Sequence, residues 1–134
     1  MKDRYLFKAI DTNSVWRTGL LIALKGNRCA IEESDGSKWA CDAKTLCQCT
    51  GLKDKNGKLI WENDIVRDKE GNCYKAFWQN NYYQFSWICV KSDIFQIGTK
   101  WDLYIWRSFE IAVIGNIFDN PELLESEEQY GENI

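Results

Sequence analysis

A chain of 134 residues with 45% apolar and 28% charged residues has the size and composition of one folded domain, which excludes a largely disordered protein. The net charge is −3, yet residues 119–134 hold six acids and no base, which leaves the rest of the chain with 17 bases against 14 acids. The longest apolar run, residues 20–24, is far shorter than the roughly 20 residues that cross a bilayer. The first ten residues also lack the apolar stretch of a secretory signal. We therefore expect a cytoplasmic protein with no membrane association.

The residue types favour β-structure. Seven Trp, six Tyr and six Phe stand against one Met and one Pro, and large, stiff side chains suit a pleated surface. No Pro-rich or Ser/Gly-rich linker divides the chain, and no internal repeat is visible. We predict a mainly β fold with minor helix, arranged as one compact unit.

The first fifty residues read as short strands separated by turns. Clusters of Asp, Asn, Ser and Gly, which are typical of turns, interrupt runs of β-favouring residues. The strongest hairpin signal is Asp35-Gly36, because this pair tolerates the positive φ angles of a tight type I′ turn. The predicted strands are residues 4–10, 15–24, 28–33, 38–41 and 45–50.

The second half continues in the same way and ends in a helix. A turn of the type predicted at Asp35-Gly36 is predicted at residues 54–58, and Gly115 suggests a bulge or a close backbone approach. Asn120 followed by Pro121 predicts the start of a short helix over residues 121–128 that docks through two leucines, Leu123 and Leu124. The predicted strands are residues 59–61, 65–67, 73–78, 82–90, 101–106 and 109–118.

Twelve of the 36 residues from 74 to 109 are aromatic. The two-residue period of a strand would place Tyr83, Phe85 and Trp87 on one face and Tyr82 on the other. These rings could form the core of a small barrel, or an exposed surface for bases, sugars or a partner protein. The sequence leaves both readings open.

No catalytic, cofactor or metal site is predicted. The chain has no His, which removes the commonest general base and excludes Ser-His and Cys-His nucleophile systems. The six cysteines lack the spacing of a disulfide framework and are expected to be reduced; their only close pair is Cys47-x-Cys49. Glu62 and Asp64 could form a carboxylate pair, but the same residues also suit a turn. We therefore expect a protein that is not an enzyme.

Two stretches resemble the YopX family of phage and prophage proteins: CTGLKDKNGKLIWENDIV at residues 49–66 and VIGNIFDNPELL at residues 113–124. The opening Phe7-Lys8-Ala9 also looks like the N-terminus of the family. Asn63 stands where the family usually has Gly, which predicts a positive φ angle there because Asn tolerates that conformation best after Gly. The resemblance implies an N-terminal β region over residues 1–50, an SH3-like β-barrel region over 51–120, and a short helix with an acidic tail over 121–134.

The resemblance implies a phage or prophage accessory protein in a bacterial host cell, with self-association and without an established biochemical function. Two hypotheses remain. The chain is a non-catalytic interaction domain, whose partner is a second copy of itself or a host or phage protein, or it is a module that binds nucleic acid through the barrel face. The candidate surface consists of basic residues interleaved with aromatic ones: Arg67, Lys69, Lys75, Tyr82, Lys91, Lys100 and Arg107.

Overall fold

The computed structural model of the chain describes residues 2–102 and 110–124. The fold is mainly β, as predicted, and its sheets are antiparallel. The chain divides into two compact units, Met1–Gly51 and Leu52–Ile134. In the described part of the chain, no helix combines the length and apolar character needed to cross a membrane.

The first unit is an antiparallel sheet in which the strands lie in the order β4-β3-β2-β1-β5. Its strands are β1 (Phe7–Ile10), β2 (Trp16–Lys25), β3 (Arg28–Glu32), β4 (Lys38–Asp42) and β5 (Cys47–Lys53), the last of which runs on into the second unit. One face packs a small core of Ala9, Cys29, Ile31 and Cys41. A bulge at Ile22 shifts the register between β2 and β3.

The second unit contains a five-stranded antiparallel sheet in the order β10-β9-β8-β7-β11. The strands of this sheet are β7 (Asp64–Arg67), β8 (Cys73–Gln79), β9 (Gln84–Lys91), β10 (Lys100–Asp102) and β11 (Ala112–Asn116). The unit also contains β6 (Leu59–Trp61), which pairs with β5 and is not part of this sheet. The larger core of the chain lies on one face of this sheet, where Tyr74 and Trp87 are almost fully buried. The ring of Trp101 meets those of Tyr74 and Phe95 edge to face, with centroids 5.5 and 5.0 Å apart.

Three hairpin loops are built in the same way around a buried aspartate. In each loop, one carboxylate oxygen accepts hydrogen bonds from the backbone N–H groups two and four residues later, at 2.8 to 3.0 Å. The residue three positions later adopts a positive φ angle. The three pairs are Asp11 with Ser14, Asp54 with Gly57, and Asp68 with Gly71. The side chain thus satisfies backbone donors that the tight loop leaves without a carbonyl partner.

The second oxygen of each aspartate connects its loop to another part of the same unit. It accepts from Arg17 Nε at Asp11, from the backbone N–H of Val113 at Asp54, and from the hydroxyl of Tyr74 at Asp68, each at 2.8 Å. The hydrogen bond from Arg17 is the largest cause of the lowered pKa of Asp11. Burial opposes the ionisation of Asp54, but its backbone donors outweigh burial and lower the pKa of that carboxyl as well.

Of two predictions about individual backbone positions, one is confirmed and one is wrong. Asn63 has a φ angle of 71°, which confirms the positive φ predicted at this position. The type I′ turn predicted at Asp35-Gly36 is wrong, although the hairpin itself is confirmed. Only Gly36 has a positive φ angle in this turn, and the N–H of Glu33 donates to the carbonyl of Ser37. The loop therefore contains three residues instead of two.

The strand predicted over residues 82–90 begins later than expected. Tyr83 has a φ angle of 52° and ends the turn before β9, so Tyr83 does not share a strand face with Phe85 and Trp87. Both Tyr82 and Tyr83 are exposed, whereas Phe85 and Trp87 are buried. The aromatic segment is thus divided between core and surface in the residues that the structure describes.

The C-terminal part of the second unit confirms the local prediction made at Gly115. A register shift between Val113 and Gly115 marks a bulge, and a Cβ atom on Gly115 would overlap the side chain of Asn120. A 3₁₀ helix at Pro121–Leu124 follows, shorter than the predicted helix, and its leucines pack on a second buried cluster. Residues 125–128 of the predicted helix lie outside the described part of the chain, as do residues 103–106 and 109 of the predicted strands.

The substitution Asp54→Ala should lower the free energy of unfolding by about 2 to 4 kcal/mol, because it leaves three backbone N–H groups without their acceptor. Urea unfolding monitored by Trp fluorescence measures this change. The matched control is Asp35→Ala, since Asp35 accepts one backbone bond in an exposed loop, and its cost should stay below about 1 kcal/mol. Equal effects of the two substitutions would contradict the role assigned to Asp54.

Candidate functional site

Two lysines of the predicted binding surface are aligned across the sheet of the second unit. Lys75 of β8 lies directly opposite Ile88 of β9, and Ile88 lies directly opposite Lys100 of β10. Residues that face each other across antiparallel strands project on the same side of the sheet. Lys75 and Lys100 therefore share a face, on the side opposite the buried rings of Tyr74 and Trp87.

Two further cations lie on this same side. Arg67 of β7 and Lys91 of β9 are both directly opposite Cys73, which is two residues from Lys75 and therefore on its face. In the described part of the chain, none of these four cations takes part in an ion pair. We call the surface formed by Arg67, Lys75, Lys91 and Lys100 the basic face.

An aromatic ring and polar groups complete the basic face. Phe77, half-buried, lies two residues from Lys75, and the Nζ atom of Lys100 is 5.9 Å from the centre of its ring. Asp102 is the acid on this side, and its carboxylate accepts a hydrogen bond from Gln84. A hollow of about 480 Å³ beside these groups is lined by Gln79, Tyr82, Gln84, Lys100, Trp101 and Asp102. The arrangement offers positive charge next to a ring, which suits an extended polyanion with stackable groups.

The remaining residues of the predicted surface are not on the basic face. Lys69 is exposed in the loop held by Asp68. Tyr82, 67% exposed, belongs to the turn between β8 and β9 and lines the hollow beside the basic face. Arg107 lies outside the described residues. The structure thus brings together four of the seven predicted residues.

A second candidate surface, which the sequence analysis did not single out, lies on the first unit. Leu20, Ile22 and Leu24 of β2 are 51%, 44% and 59% exposed, whereas Leu21 packs against the core. A hollow of about 570 Å³ adjoins Leu20 and is lined by Leu6, Thr18, Gly19, Leu20, Glu32, Glu33, Ser34 and Gly36. Leu20 lies directly opposite Glu32 and Leu24 directly opposite Cys29, so the bulge at Ile22 places these two leucines on different sides of the sheet. We call the exposed residues Leu20, Ile22 and Leu24 together the apolar surface. The sequence does contain a signal for this surface, namely the uninterrupted apolar run. A strand with one face in solvent needs apolar residues only at alternate positions.

All six cysteines are buried and carry free thiols. Burial raises the pKa of Cys29 and Cys89, and it raises the pKa of Cys41 to about 11. Cys47 and Cys49, the close pair of the sequence, are both almost fully buried in β5. Because all six thiols are buried, they act as small apolar core residues.

Asp64, one of the two acids of the carboxylate pair considered in the sequence, has a structural role. Asp64 is buried and its Oδ2 atom accepts a hydrogen bond of 2.8 Å from the backbone N–H of Trp61, which closes the turn before β7. Within residues 2–102 and 110–124, no group of three or more metal-binding side chains occurs. This hydrogen bond accounts for an aspartate at position 64 without any catalytic role.

The native protein should react with a thiol reagent such as Ellman's reagent at least about 100-fold more slowly than an exposed thiol at pH 8, because burial excludes both the reagent and the thiolate. All six thiols should react at once in denaturant. The substitution Ser34→Cys, in an exposed loop, supplies the reference and should add one fast thiol. Rapid labelling of any native thiol would contradict the burial described above.

The fold and its two surfaces define a small, mainly β domain with one apolar and one basic candidate binding surface. The family described as YopX protein matches residues 8–125. Because this match covers most of the sequence, the chain belongs to the YopX family, as its motifs predicted. A comparison with curated proteins finds no significant match.

Proposed function

We propose that this protein is a non-catalytic interaction domain that self-associates through the apolar surface of its first unit. The observation that carries the proposal is the exposure of Leu20, Ile22 and Leu24 along one strand. Large apolar side chains that cluster on a surface are typical of interaction sites. Because β2 lies between β1 and β3, a partner would contact the exposed side chains of β2 instead of extending the edge of the sheet.

The charges around the apolar surface favour a second copy of the chain as the partner. Glu32, directly opposite Leu20, forms an ion pair of 3.4 Å with Lys38. On the same side of the sheet, the Nζ atom of Lys8 lies 4.5 Å from the centre of the Trp16 ring. A surface that carries both signs of charge can meet its own copy across a two-fold axis without net repulsion.

The family membership supports the further parts of this proposal. We infer a phage or prophage accessory protein that acts in the cytoplasm of a bacterial host, where a host or phage protein could replace the second copy. For residues 51–120 we propose an SH3-like barrel. The five antiparallel strands that lie side by side in the sheet and the bulge in β11 support this proposal. For residues 121–128 we propose a helix that extends the 3₁₀ helix at Pro121–Leu124.

Sedimentation velocity of the full chain tests the self-association. The wild-type protein should sediment as an oligomer at about 100 μM, and the double substitution Ile22→Lys/Leu24→Lys should convert it to a monomer because buried lysines carry a large desolvation cost. The matched control is Tyr83→Lys, which removes an exposed ring from the second unit and should leave the oligomer intact. A wild-type monomer, or an oligomer that survives the double substitution, would overturn the proposal.

A second candidate function is the binding of single-stranded nucleic acid by the basic face. The observation that favours it is the common side of Arg67, Lys75, Lys91 and Lys100, beside the half-buried ring of Phe77. Four cations on one side of a sheet can follow a phosphate backbone, while the ring can stack on a base.

A salt titration of binding to an oligothymidine of 20 nucleotides tests this second function. Affinity should fall with salt, and Lys75→Gln/Lys100→Gln should reduce the slope of log K against log salt by about 1.4, or about 0.7 for each lost phosphate contact. The control Lys25→Gln/Lys55→Gln removes the same charge from exposed positions that are not part of the basic face and should keep the slope. No binding at low salt, or equal slopes for both variants, would end this candidate.

A further inference from the structure

We propose that the hollow beside the basic face binds one unpaired nucleobase and selects guanine. This inference rests on the second proposed function and names the base that the function would prefer. Gln79, two residues after Phe77 on β8, lies directly opposite Gln84 of β9. Asp102 of β10 lies directly opposite Ser86, two residues after Gln84. These four polar side chains therefore project on the side of the basic face, where three of them line the hollow.

A chain of hydrogen bonds fixes the orientation of both glutamine amides. The carboxylate of Asp102 accepts, so the atom of Gln84 that contacts it is Nε2, and Oε1 points the other way. The same Nε2 atom donates to the hydroxyl of Ser86, which is almost fully buried, at 3.3 Å. Ser86 therefore directs its own hydrogen to Oε1 of Gln79, at 2.9 Å. The outer atom of the Gln79 amide is then Nε2.

These hydrogen bonds leave one acceptor and one donor for a ligand. Within residues 2–102 and 110–124, neither Oε1 of Gln84 nor Nε2 of Gln79 has a hydrogen-bond partner. A carboxylate has about four acceptor sites, so Asp102 can accept from a ligand in addition to Gln84. From β8 to β10, the hollow thus presents a donor, an acceptor and a second acceptor.

The order of these groups matches the Watson–Crick edge of guanine. That edge carries the O6 acceptor, the N1–H donor and the N2 amino donor in a row. O6 would accept from Gln79, N1–H would donate to Gln84, and the amino group would donate to Asp102. Thymine has a carbonyl oxygen on each side of its single donor, so one of these oxygens would meet the carboxylate. Unpaired polar groups of this kind are the usual source of strong discrimination between ligands.

A ring and a cation in the same hollow suit the remainder of a nucleotide. The backbone N–H of Tyr82 donates to the carbonyl of Gln79 at 3.2 Å, and its side chain is 67% exposed. The ring is therefore available beside the amides for stacking on a base. Lys100 lies two residues from Asp102, or about 7 Å along the strand. Its ammonium group supplies positive charge for the phosphate of the bound nucleotide.

NMR titration of the full chain with mononucleotides tests the pocket directly. Deoxyguanosine monophosphate should shift the side-chain amide resonances of Gln79 and Gln84. It should bind at least about tenfold more tightly than thymidine monophosphate, because the thymine edge loses matched hydrogen bonds. Deoxyribose 5-phosphate, which has no base, should leave the two amides unshifted. Equal affinities for the two mononucleotides would overturn the proposal.

Two variants test the roles of the carboxylate and the ring. Asp102→Asn should reduce the preference for guanine over thymine at least about fivefold, because an amide can donate to a thymine carbonyl. The matched control Asp93→Asn removes the same charge from an exposed position outside the hollow and should keep the preference. Tyr82→Ala, in an exposed turn, should weaken both mononucleotides about tenfold and leave their ratio unchanged. An unchanged preference in Asp102→Asn would contradict the assigned order of groups.

Oligonucleotides separate this inference from the second proposed function. If both are correct, an alternating thymidine–guanosine strand of 20 nucleotides should bind at least about threefold more tightly than the oligothymidine, with the same salt slope. Equal binding of the two strands would overturn the base pocket and leave the function standing. Binding of deoxyguanosine monophosphate without binding of either strand would end the function and leave the pocket. Shifts of the two amides by maltotriose, but by no nucleotide, would assign the hollow to a sugar and overturn the proposal.

Discussion

The fold depends on carboxylates that replace backbone acceptors at the start of hairpins. A tight loop turns the chain faster than its own carbonyl groups can satisfy its N–H groups, and buried donors without partners are costly. Asp11, Asp54 and Asp68 solve this problem with one oxygen and connect the loop to the remainder of its unit with the other. The register of the strands that follow, and hence the side on which each residue projects, depends on these loops.

Much of the fold could be predicted because its turns are determined by local residues. Gly, Asn and Asp mark the loops, and the positive φ angle of Asn63 follows from the short polar side chain. One error arose where a third residue lengthens the turn, and the other arose from an unusual backbone conformation. At Asp35-Gly36 the loop contains three residues, so only glycine needs a positive φ angle. At Tyr83 the chain adopts a conformation that is rare for an aromatic residue, which no local signal indicates.

The candidate surfaces were less predictable than the strands. Individual basic residues are visible in the sequence, but their meeting on one face depends on the register between β7, β8, β9 and β10. That register includes a shift between Cys73 and Tyr74, without which Lys91 would project differently. Lys69 and Tyr82 failed to join the face because loops do not follow the two-residue period of a strand.

The hydrogen bond between Asp54 and Val113 joins residues 59 positions apart. On the ribosome, the carboxylate would leave the exit tunnel well before its distant donor is synthesised. Chain elongation at about 5 to 20 residues per second gives a delay of about 3 to 12 s. The residues of the first unit emerge before this interval begins, whereas the second unit remains incomplete until the interval ends. The two halves of the nascent protein therefore mature in succession, and the later half is the one exposed to proteases and chaperones for longer.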